Sequence, residues 1–345
     1  MTTPTSVYTD TASEYRAANE AAAIHDTSRV GRLKATGDDV LDLLNRLSTN
    51  QVSNLEPGQG APTILTTDRG RILDLIGVVN LGEYVLLLTS PGEQQSVVDW
   101  LDKYTIMEDL VVEDITAATA MLTVFGPTSQ SSLEAATDLQ LGQLAPYHTL
   151  SGAIAGHDVR VINRPLGQLP SYDLIMSPEA FPAVWEHLTG LDITPVGTQA
   201  YAATRIAHAI PEYGRELGDA YNPLEAGLIG SIDFRKGCYI GQEVIARLDT
   251  YQKVQKRLVM LRFSPNADNA GLPTDLFDGA ALLHEGQKVG TVTSVSQTPT
   301  TGEMVGLGYV RTAAATVGAK LELAEPASGW AEIADLPQLF GPGGG

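Results

Sequence analysis

The chain has 345 residues, a hydrophobic content of 43% and a formal net charge of −19 at pH 7. A surface with this charge repels polyanions, and no basic cluster offsets it, so neither nucleic acid nor an anionic membrane is expected as a partner. A single cysteine, Cys238, excludes an internal disulfide, and the six histidines show no metal-ligand spacing, so no metal site is predicted.

The N-terminal residues are polar and rich in alanine, and they predict one helix within the first twenty positions. They lack the basic start and apolar run of a secretory signal, and no stretch reaches the roughly 20 apolar residues of a membrane span, so we expect a cytoplasmic protein. The stretch RVGRLKATG (29–37) predicts a strand, and the leucine spacing that follows it predicts a helix.

The next segment predicts a hairpin and a helix. Two apolar runs flank TTDRG within residues 62–80, which is a hairpin signal, and EYVLLLTS predicts a further strand. Ser90 and Glu93 then have the spacing of a capping box with Pro91 at the first helical position, which predicts a helix through Trp100.

A similar unit recurs later in the chain. Residues 84–101 and 172–188 both show a strand that begins with tyrosine, then Ser-Pro, then an amphipathic helix with tryptophan, and residues 118–136 form a third strand–turn–helix pattern. These units predict two related α+β lobes. The alternative, that Ser-Pro is only a common helix opener, is equally open.

The pattern changes after Arg247. Short alternating strands with glycine turns replace helices, which predicts a small β-barrel. We therefore predict a region with both α+β lobes at 1–250, a barrel domain at 254–330 and a disordered tail at 335–345.

Several segments resemble a known family. The segments 23–59, 213–228 (YGRELGDAYNPLEAGL) and 288–310 are similar to regions of the aminomethyltransferases, the T-proteins of glycine cleavage. The narrower motif KGCYIGQE (236–243) resembles the signature of the YgfZ-type branch of that superfamily. The resemblance implies two interlaced α+β lobes and the C-terminal barrel, arranged as a three-domain cloverleaf around a central folate opening.

The resemblance also implies a function and leaves alternatives. A YgfZ-type protein binds tetrahydrofolate and supports assembly or repair of iron–sulfur enzymes, so folate and iron–sulfur enzymes or assembly factors are the expected partners. The alternative is an aminomethyltransferase that transfers a one-carbon unit to tetrahydrofolate. A third reading is a folate-binding scaffold whose cysteine is inert.

Two acids match functional acids of that family. Asp173, in the strand YDLIMS, matches the acid that anchors the pterin, whose amidine-like edge suits a carboxylate. Asp74, in RGRILDLIG, matches the first acid of an active-site pair, and Leu75 replaces the second. Because an acid within an apolar strand is costly to bury alone, we expect Asp74 to face a cavity or a cation such as Arg71. For both acids, a water-facing strand position is the alternative.

Two residues of one predicted helix match folate-binding positions. Tyr201 stands where the family has a folate-binding arginine, and Arg205 lies one turn later on the same helix face. Tyrosine cannot replace a planar cation, so this departure weakens the reading as an aminomethyltransferase.

The KGCYIGQE motif suggests a functional thiol. Arg235 and Lys236 favour the thiolate of Cys238 by charge, while Gly237 and Gly241 permit unusual backbone angles. A redox or mixed-disulfide role ranks above iron–sulfur ligation, which needs ligands from elsewhere, and a small buried hydrophobic residue is the alternative. Gln242 and Glu243, which follow Gly241, are expected to open a helix or a short strand. Tyr239 is expected to stack on the pterin or to cover the thiol.

Overall fold

The computed structural model describes residues 5–265 and 274–336. Its α-helices are α1 (Thr11–Glu20), α2 (Val40–Leu47), α3 (Gln94–Tyr104), α4 (Ser129–Ala136), α5 (Phe181–Thr189), α6 (Thr198–Ala207) and α7 (Gln242–Thr250). Its β-strands are β1 (Ala23–Asp26), β2 (Gly31–Thr36), β3 (Gly60–Thr66), β4 (Ile72–Asn80), β5 (Val85–Thr89), β6 (Val111–Asp114), β7 (Ala120–Phe125), β8 (Thr149–Ile154), β9 (His157–Asn163), β10 (Ser171–Met176), β11 (Thr194–Pro195), β12 (Lys256–Pro265), β13 (Ala281–His284), β14 (Gln287–Gln297), β15 (Met304–Arg311), β16 (Lys320–Leu323) and β17 (Gly329–Asp335).

The described residues form two compact units. The first unit runs to Thr66 and also contains Leu73–Tyr201 and Ser231–Ile240. The second unit contains Thr67–Ile72, Ala202–Gly230 and the chain from Gly241 onward. The KGCYIGQE motif therefore begins in the first unit and ends in the second.

A six-stranded sheet in the first unit has the order β11-β1-β7-β10-β9-β8. Side chains alternate along its strands, so Leu122 and Val124 of β7 join the core that α4 and α5 cover, while Met121 and Thr123 occupy the opposite face. The strands β7 and β10 are central and antiparallel. This register fixes which polar side chains become neighbours on the face opposite α4 and α5.

A five-stranded sheet in the same unit has the order β3-β4-β5-β2-β6. The helices α2 and α3 pack on it through leucines and a valine, among them Leu43, Leu47 and Val97. A separate apolar cluster joins the two sheets; it contains Val79, Leu86 and Leu88 of the five-stranded sheet together with Met121 and Ile162 of the six-stranded sheet.

The strand order confirms that the two α+β lobes are interlaced in sequence. The chain forms β1 in the six-stranded sheet, completes the five-stranded sheet with β2–β6, and then returns to the first sheet with β7–β11. All three predicted strand–helix units exist, as β5–α3, β7–α4 and β10–α5. The predicted capping box is wrong, because α3 begins at Gln94 after Gly92, whose φ of +90° is left-handed.

The barrel in the second unit closes in the order β12-β15-β14-β13-β16-β17. Its interior is apolar and includes Leu261, Phe277, Leu321 and Ile333. The barrel, together with the two sheets and their helices, confirms the predicted fold class of mixed lobes with a C-terminal β-barrel.

The predicted domain boundaries and the cloverleaf arrangement stay predictions, and most of the predicted tail, from residue 337, lies outside the described residues. In the described ranges, no helix has the length and apolarity needed to span a bilayer.

Candidate functional site

A row of polar side chains crosses the face of the six-stranded sheet opposite α4 and α5. Strand register places His25 opposite Thr123 and Thr123 opposite Asp173, so the three lie side by side on β1, β7 and β10. The Thr123 hydroxyl donates to Asp173 Oδ1 at 2.7 Å and lies 2.8 Å from the hydroxyl of Thr27. All four side chains are buried, and Thr27, Thr123 and Asp173 form one hydrogen-bonded chain among them.

Asp173 is fully buried and paired with a cation. Its second carboxylate oxygen, Oδ2, accepts a hydrogen bond from Arg164 Nε, and the two residues form an ion pair. The Arg164 side chain is 28% exposed. Burial acts to lower the pKa of Arg164, but the Asp173 charge and hydrogen bond outweigh it and raise that pKa overall. The interior position excludes the alternative that Asp173 faces water.

Aromatic rings adjoin one end of this polar row. The rings of His25 and Tyr201 stack with centroids 4.2 Å apart, and Phe125 meets Tyr201 edge-on at 5.6 Å. His25 Nδ1 lies 2.7 Å from the carbonyl oxygen of Val196. Burial lowers the pKa of His25, so its imidazole is neutral at pH 7. Tyr201 therefore lies against the polar row, and its predicted role in folate binding stays a prediction.

Asp74 is also fully buried, but only one of its two carboxylate oxygens has a hydrogen-bond partner. Its Oδ2 accepts a hydrogen bond from the Ser90 backbone N–H at 2.9 Å, while Oδ1 has no hydrogen-bond partner. Asp74 forms no ion pair within the part of the chain that the structure describes, and Arg71 instead pairs with Glu225 at 3.5 Å. Burial raises the pKa of Asp74 to about 7, so it exchanges a proton near neutral pH.

Arg205 has its contacts in the second unit. Its guanidinium pairs with Glu212 at 3.0 Å and with Glu216 at 3.3 Å, and donates to the hydroxyl of Ser294 at 2.9 Å. The residue is 7% exposed. Because these acceptors already engage both terminal nitrogens, the predicted contact of Arg205 with folate stays a prediction without geometric support.

Lys236 of the KGCYIGQE motif is held by backbone carbonyls. Its Nζ donates to the carbonyl oxygens of Asn45 at 2.6 Å, Ser48 at 2.9 Å and Asn50 at 2.6 Å. These oxygens lie at and just after the C-terminal end of α2, where helix carbonyls lack partners and carry negative partial charge. Burial lowers the pKa of Lys236 to about 8. The lysine thus ties the motif to the end of α2.

Cys238 is exposed and lies between two fixed residues. On the N-terminal side of Cys238, Lys236 fixes the loop. On the C-terminal side, the Ile240 N–H donates to the carbonyl oxygen of Arg46, and the Ile240 carbonyl oxygen accepts from the hydroxyl of Thr66. A side chain at Gly237 would meet open space. The alternative of a buried hydrophobic cysteine is therefore inconsistent with its position, and the thiol is available to other molecules.

The remaining motif residues have distinct environments. Tyr239 is buried, its pKa is raised by burial to about 12, and the Lys236 ammonium lies 5.4 Å from its ring centroid. Gly241 adopts a left-handed φ of +83° just before α7, which explains a glycine there. The helix α7 begins at Gln242, and Glu243 lies in its first turn, where a negative charge is favourable. Whether these residues contact a ligand stays a prediction.

Sequence reasoning missed Arg164, Thr123 and His25. Arg164 precedes Asp173 by nine residues, and Thr123 interrupts an apolar strand, which is the kind of signal that marks a buried polar contact. The Thr123–Asp173 contact depends on the β7–β10 register and the Arg164–Asp173 contact on the β9–β10 pairing, so neither was readable from spacing. In the described ranges, no cluster of three or more histidine, cysteine or acidic side chains could hold a metal ion.

Comparisons with known proteins identify the family. The GCVT N-terminal domain matches residues 4–236, and the glycine cleavage T-protein C-terminal barrel domain matches residues 256–329. The chain is 32% identical over 318 residues to a chloroplastic protein of Arabidopsis thaliana named as a putative transferase, covering 91% of this chain and 70% of that protein.

Other relatives agree with this match. An aminomethyltransferase of Halothermothrix orenii is 27% identical, with 92% of this chain and 87% of that protein covered. The crystal structure of aminomethyltransferase T of the glycine cleavage system from Bartonella henselae has the same fold, with a TM-score of 0.82, 20% identity and coverage of 97% and 91%. The chain therefore belongs to the glycine cleavage T-protein (GCVT) family.

Proposed function

We propose that this protein binds tetrahydrofolate and acts as an accessory protein for iron–sulfur enzymes, with Cys238 as its reactive group. The observation that carries the proposal is an exposed thiol in a loop fixed by Lys236 on one side and Ile240 on the other. A surface thiol on a fixed loop suits exchange with a second protein better than it suits packing. The YgfZ-like motif around it supports the same reading.

The polar row on the six-stranded sheet fits the chemistry of a pterin. An ionised carboxylate has about four acceptor positions, and each oxygen of Asp173 uses one of them in the contacts described, with Thr123 and Arg164. Asp173 would therefore accept the two donors of the amidine-like pterin edge. The stacked rings of His25 and Tyr201 would provide apolar contact area beside it.

Tetrahydrofolate would supply the nitrogens that carry a one-carbon unit. The chain itself would supply the thiol chemistry. The Cys238 thiolate would attack a disulfide on an oxidised client enzyme, forming a mixed disulfide and releasing the second client sulfur as a thiolate. This step requires only the one cysteine of this chain.

Calorimetric titration with tetrahydrofolate tests the binding proposal. We expect saturable binding to the wild type and at least a tenfold weaker affinity for Asp173→Asn, which keeps the side-chain shape and removes the charge. Asp158→Asn, on the exposed start of β9, is the matched control and should bind as the wild type does. An absence of binding to folded wild-type protein would reject the folate site.

A cellular test addresses Cys238. Cells that carry Cys238→Ala in place of the wild type should lose activity of iron–sulfur enzymes under oxidative stress while the variant keeps its folate affinity. If those cells match the wild type, the cysteine is inert and the protein is a folate-binding scaffold. Phe234→Ala, at a side chain 42% exposed in the same loop, is the control and should leave these cells like the wild type.

One observation favours the aminomethyltransferase alternative. Asp74 has an unpartnered buried oxygen and a pKa of about 7, which suits a group that transfers a proton near neutral pH. An aminomethyltransferase should release ammonia and form methylene-tetrahydrofolate from an aminomethyl-lipoyl carrier, and Asp74→Asn should abolish that turnover. Folate binding without any turnover rejects this alternative and leaves the accessory role.

A further inference from the structure

An exposed apolar loop lies between α3 and β6, and it contains none of the residues of the proposed folate and thiol chemistry. Ile106 is 84% exposed and Met107 is 93% exposed, and Val111 at the start of β6 is 63% exposed. Single exposed apolar residues are normal, but three large ones within six positions concentrate exposed apolar area, which is typical of interaction sites. We call Ile106, Met107 and Val111 the apolar tip.

One carboxylate fixes the backbone of this tip. Glu108 Oε2 accepts from the N–H of Ile106 at 2.9 Å and from that of Met107 at 3.1 Å, while Oε1 accepts from Arg46 at 3.0 Å. The two backbone bonds and the arginine hold the pKa of Glu108 at about 2, so it stays ionised. Because the loop is already ordered, a partner that binds it loses little conformational entropy in doing so.

Acidic residues adjoin the apolar tip. The loop is tied to the start of α2, since the Asp109 N–H donates to Asp39 Oδ2 at 2.8 Å and the Asp38 N–H donates to Asp109 Oδ2 at 3.2 Å. The acids that contacts connect to the loop are therefore Asp38, Asp39, Glu108 and Asp109, together with Asp42, which shares Arg46 with Glu108. These acids make the border of the tip negative.

The cations near the tip are already engaged. Arg46 pairs with both Asp42 and Glu108 at 3.0 Å, and Lys103 lies 5.0 Å from the ring centroid of Trp100 and 5.1 Å from that of Tyr104. They offset only part of the acidic charge. A second copy of this chain would bring the same negative border against it, so self-association through the tip is unfavourable.

We propose that the apolar tip docks a partner protein through an apolar pocket bordered by lysine and arginine side chains. The tip fills the pocket, and the acidic border pairs with the basic rim, which also speeds encounter and selects the partner by charge. This interaction goes beyond the proposed folate and thiol chemistry, since it uses none of those residues.

A basic amphipathic peptide tests this chemistry on the full-length protein. The probe is a fluorescent helical peptide with leucines on one face and lysines on the other, and binding is followed by anisotropy at about 0.05 M and about 0.5 M salt, where screening differs strongly. We expect saturable binding that weakens with salt and falls at least tenfold in Ile106→Ser/Met107→Ser. Glu108→Gln should weaken binding severalfold because it releases the loop.

Matched controls decide the outcome. A peptide with glutamates in place of the lysines should not bind, and Val317→Ser, which removes a valine 56% exposed on the second unit, should bind the lysine peptide as the wild type does. Equal binding by the double variant, or by the glutamate peptide, overturns the proposal. A dimer in sedimentation that the double variant abolishes would also overturn it, because the tip would then be a self-association surface.

Discussion

Each sheet of the first unit contains one fully buried aspartate, and the two carboxylates are satisfied in different ways. Asp173 on β10 has the Arg164 guanidinium and the Thr123 hydroxyl, one at each oxygen. Asp74 on β4 has one backbone N–H at one oxygen and no hydrogen-bond partner at the other.

The difference between these sites lies in the partner and not in burial. A buried carboxylate without a cation tends to keep its proton. Burial accordingly raises the pKa of Asp74 to about 7. Asp74 is therefore suited to exchange a proton near neutral pH, whereas the two partners of Asp173 tie that carboxylate to Thr123 and Arg164.

The largest expected effect comes from breaking the ion pair. Asp173→Ala leaves Arg164 without its carboxylate and should lower the free energy of unfolding by about 3–5 kcal/mol. Denaturant titration followed by circular dichroism measures this loss. Asp158→Ala, at an exposed carboxylate, should change stability by less than about 0.5 kcal/mol. Equal effects of the two substitutions would contradict the importance of the pair.

The second prediction concerns pH and Asp74. A carboxyl whose pKa rises on folding contributes stability that is present below its ordinary value of 3.8 and is lost as pH rises through about 7. Each pH unit in this window is worth about 1.4 kcal/mol. The stability of Asp74→Asn relative to the wild type should therefore increase by about 4 kcal/mol between pH 4 and pH 8.

Unfolding curves of both proteins across this pH range provide the measurement for Asp74. Other titrating groups are common to the two proteins, so their contributions cancel in the difference. A difference that does not vary with pH would show that Asp74 has an ordinary pKa in the folded protein.

Lys236 is the converse of Asp74, a buried cation whose hydrogen-bond partners are neutral carbonyls. Lys236→Met keeps the side-chain length but leaves the carbonyl oxygens of Asn45, Ser48 and Asn50 without their donor, and should cost about 2 kcal/mol of stability. The control is Arg235→Met, whose side chain is 96% exposed and should be neutral. Denaturant titration of both variants measures this loss. If Lys236→Met is as stable as Arg235→Met, Lys236 does not anchor the loop and its charge acts only on the thiol.

The smallest effect is expected at Cys238. Because the residue is exposed, Cys238→Ala should change the free energy of unfolding by less than about 0.5 kcal/mol. The thiol should react with a soluble disulfide reagent in the native state, at a rate comparable to that in the unfolded chain. A native protein that reacts only after denaturation would contradict an available thiol.

The α+β lobes and the barrel could be predicted because their signals are local, whereas the interlacing of the lobes was implied only by the family resemblance. Two apolar runs around TTDRG predicted the strands within residues 62–80, and the recurring strand–helix units predicted both lobes. The capping box at Ser90 failed although it is also a local signal. There the Ser90 N–H bonds to Asp74 on a neighbouring strand, and the left-handed Gly92 delays the helix to Gln94.

The candidate site could be predicted only in part. The family resemblance singled out Asp74 and Asp173 by their matching positions, and the sequence singled out Cys238 by its rarity. It did not reveal that Arg164 pairs with Asp173, because that contact depends on the β9–β10 pairing. It suggested that Lys236 acts on the adjacent thiol, whereas the ammonium binds carbonyls that lie about 190 residues away in sequence.

Sequence by itself determined the elements, the fold class and which residue types carry chemistry, since these follow from side-chain periodicity and from the cost of placing an acid in an apolar strand. Only the tertiary structure decided the charge state and partners of each buried group. Those depend on strand register and on desolvation, which arise when segments distant in sequence pack together and exclude water.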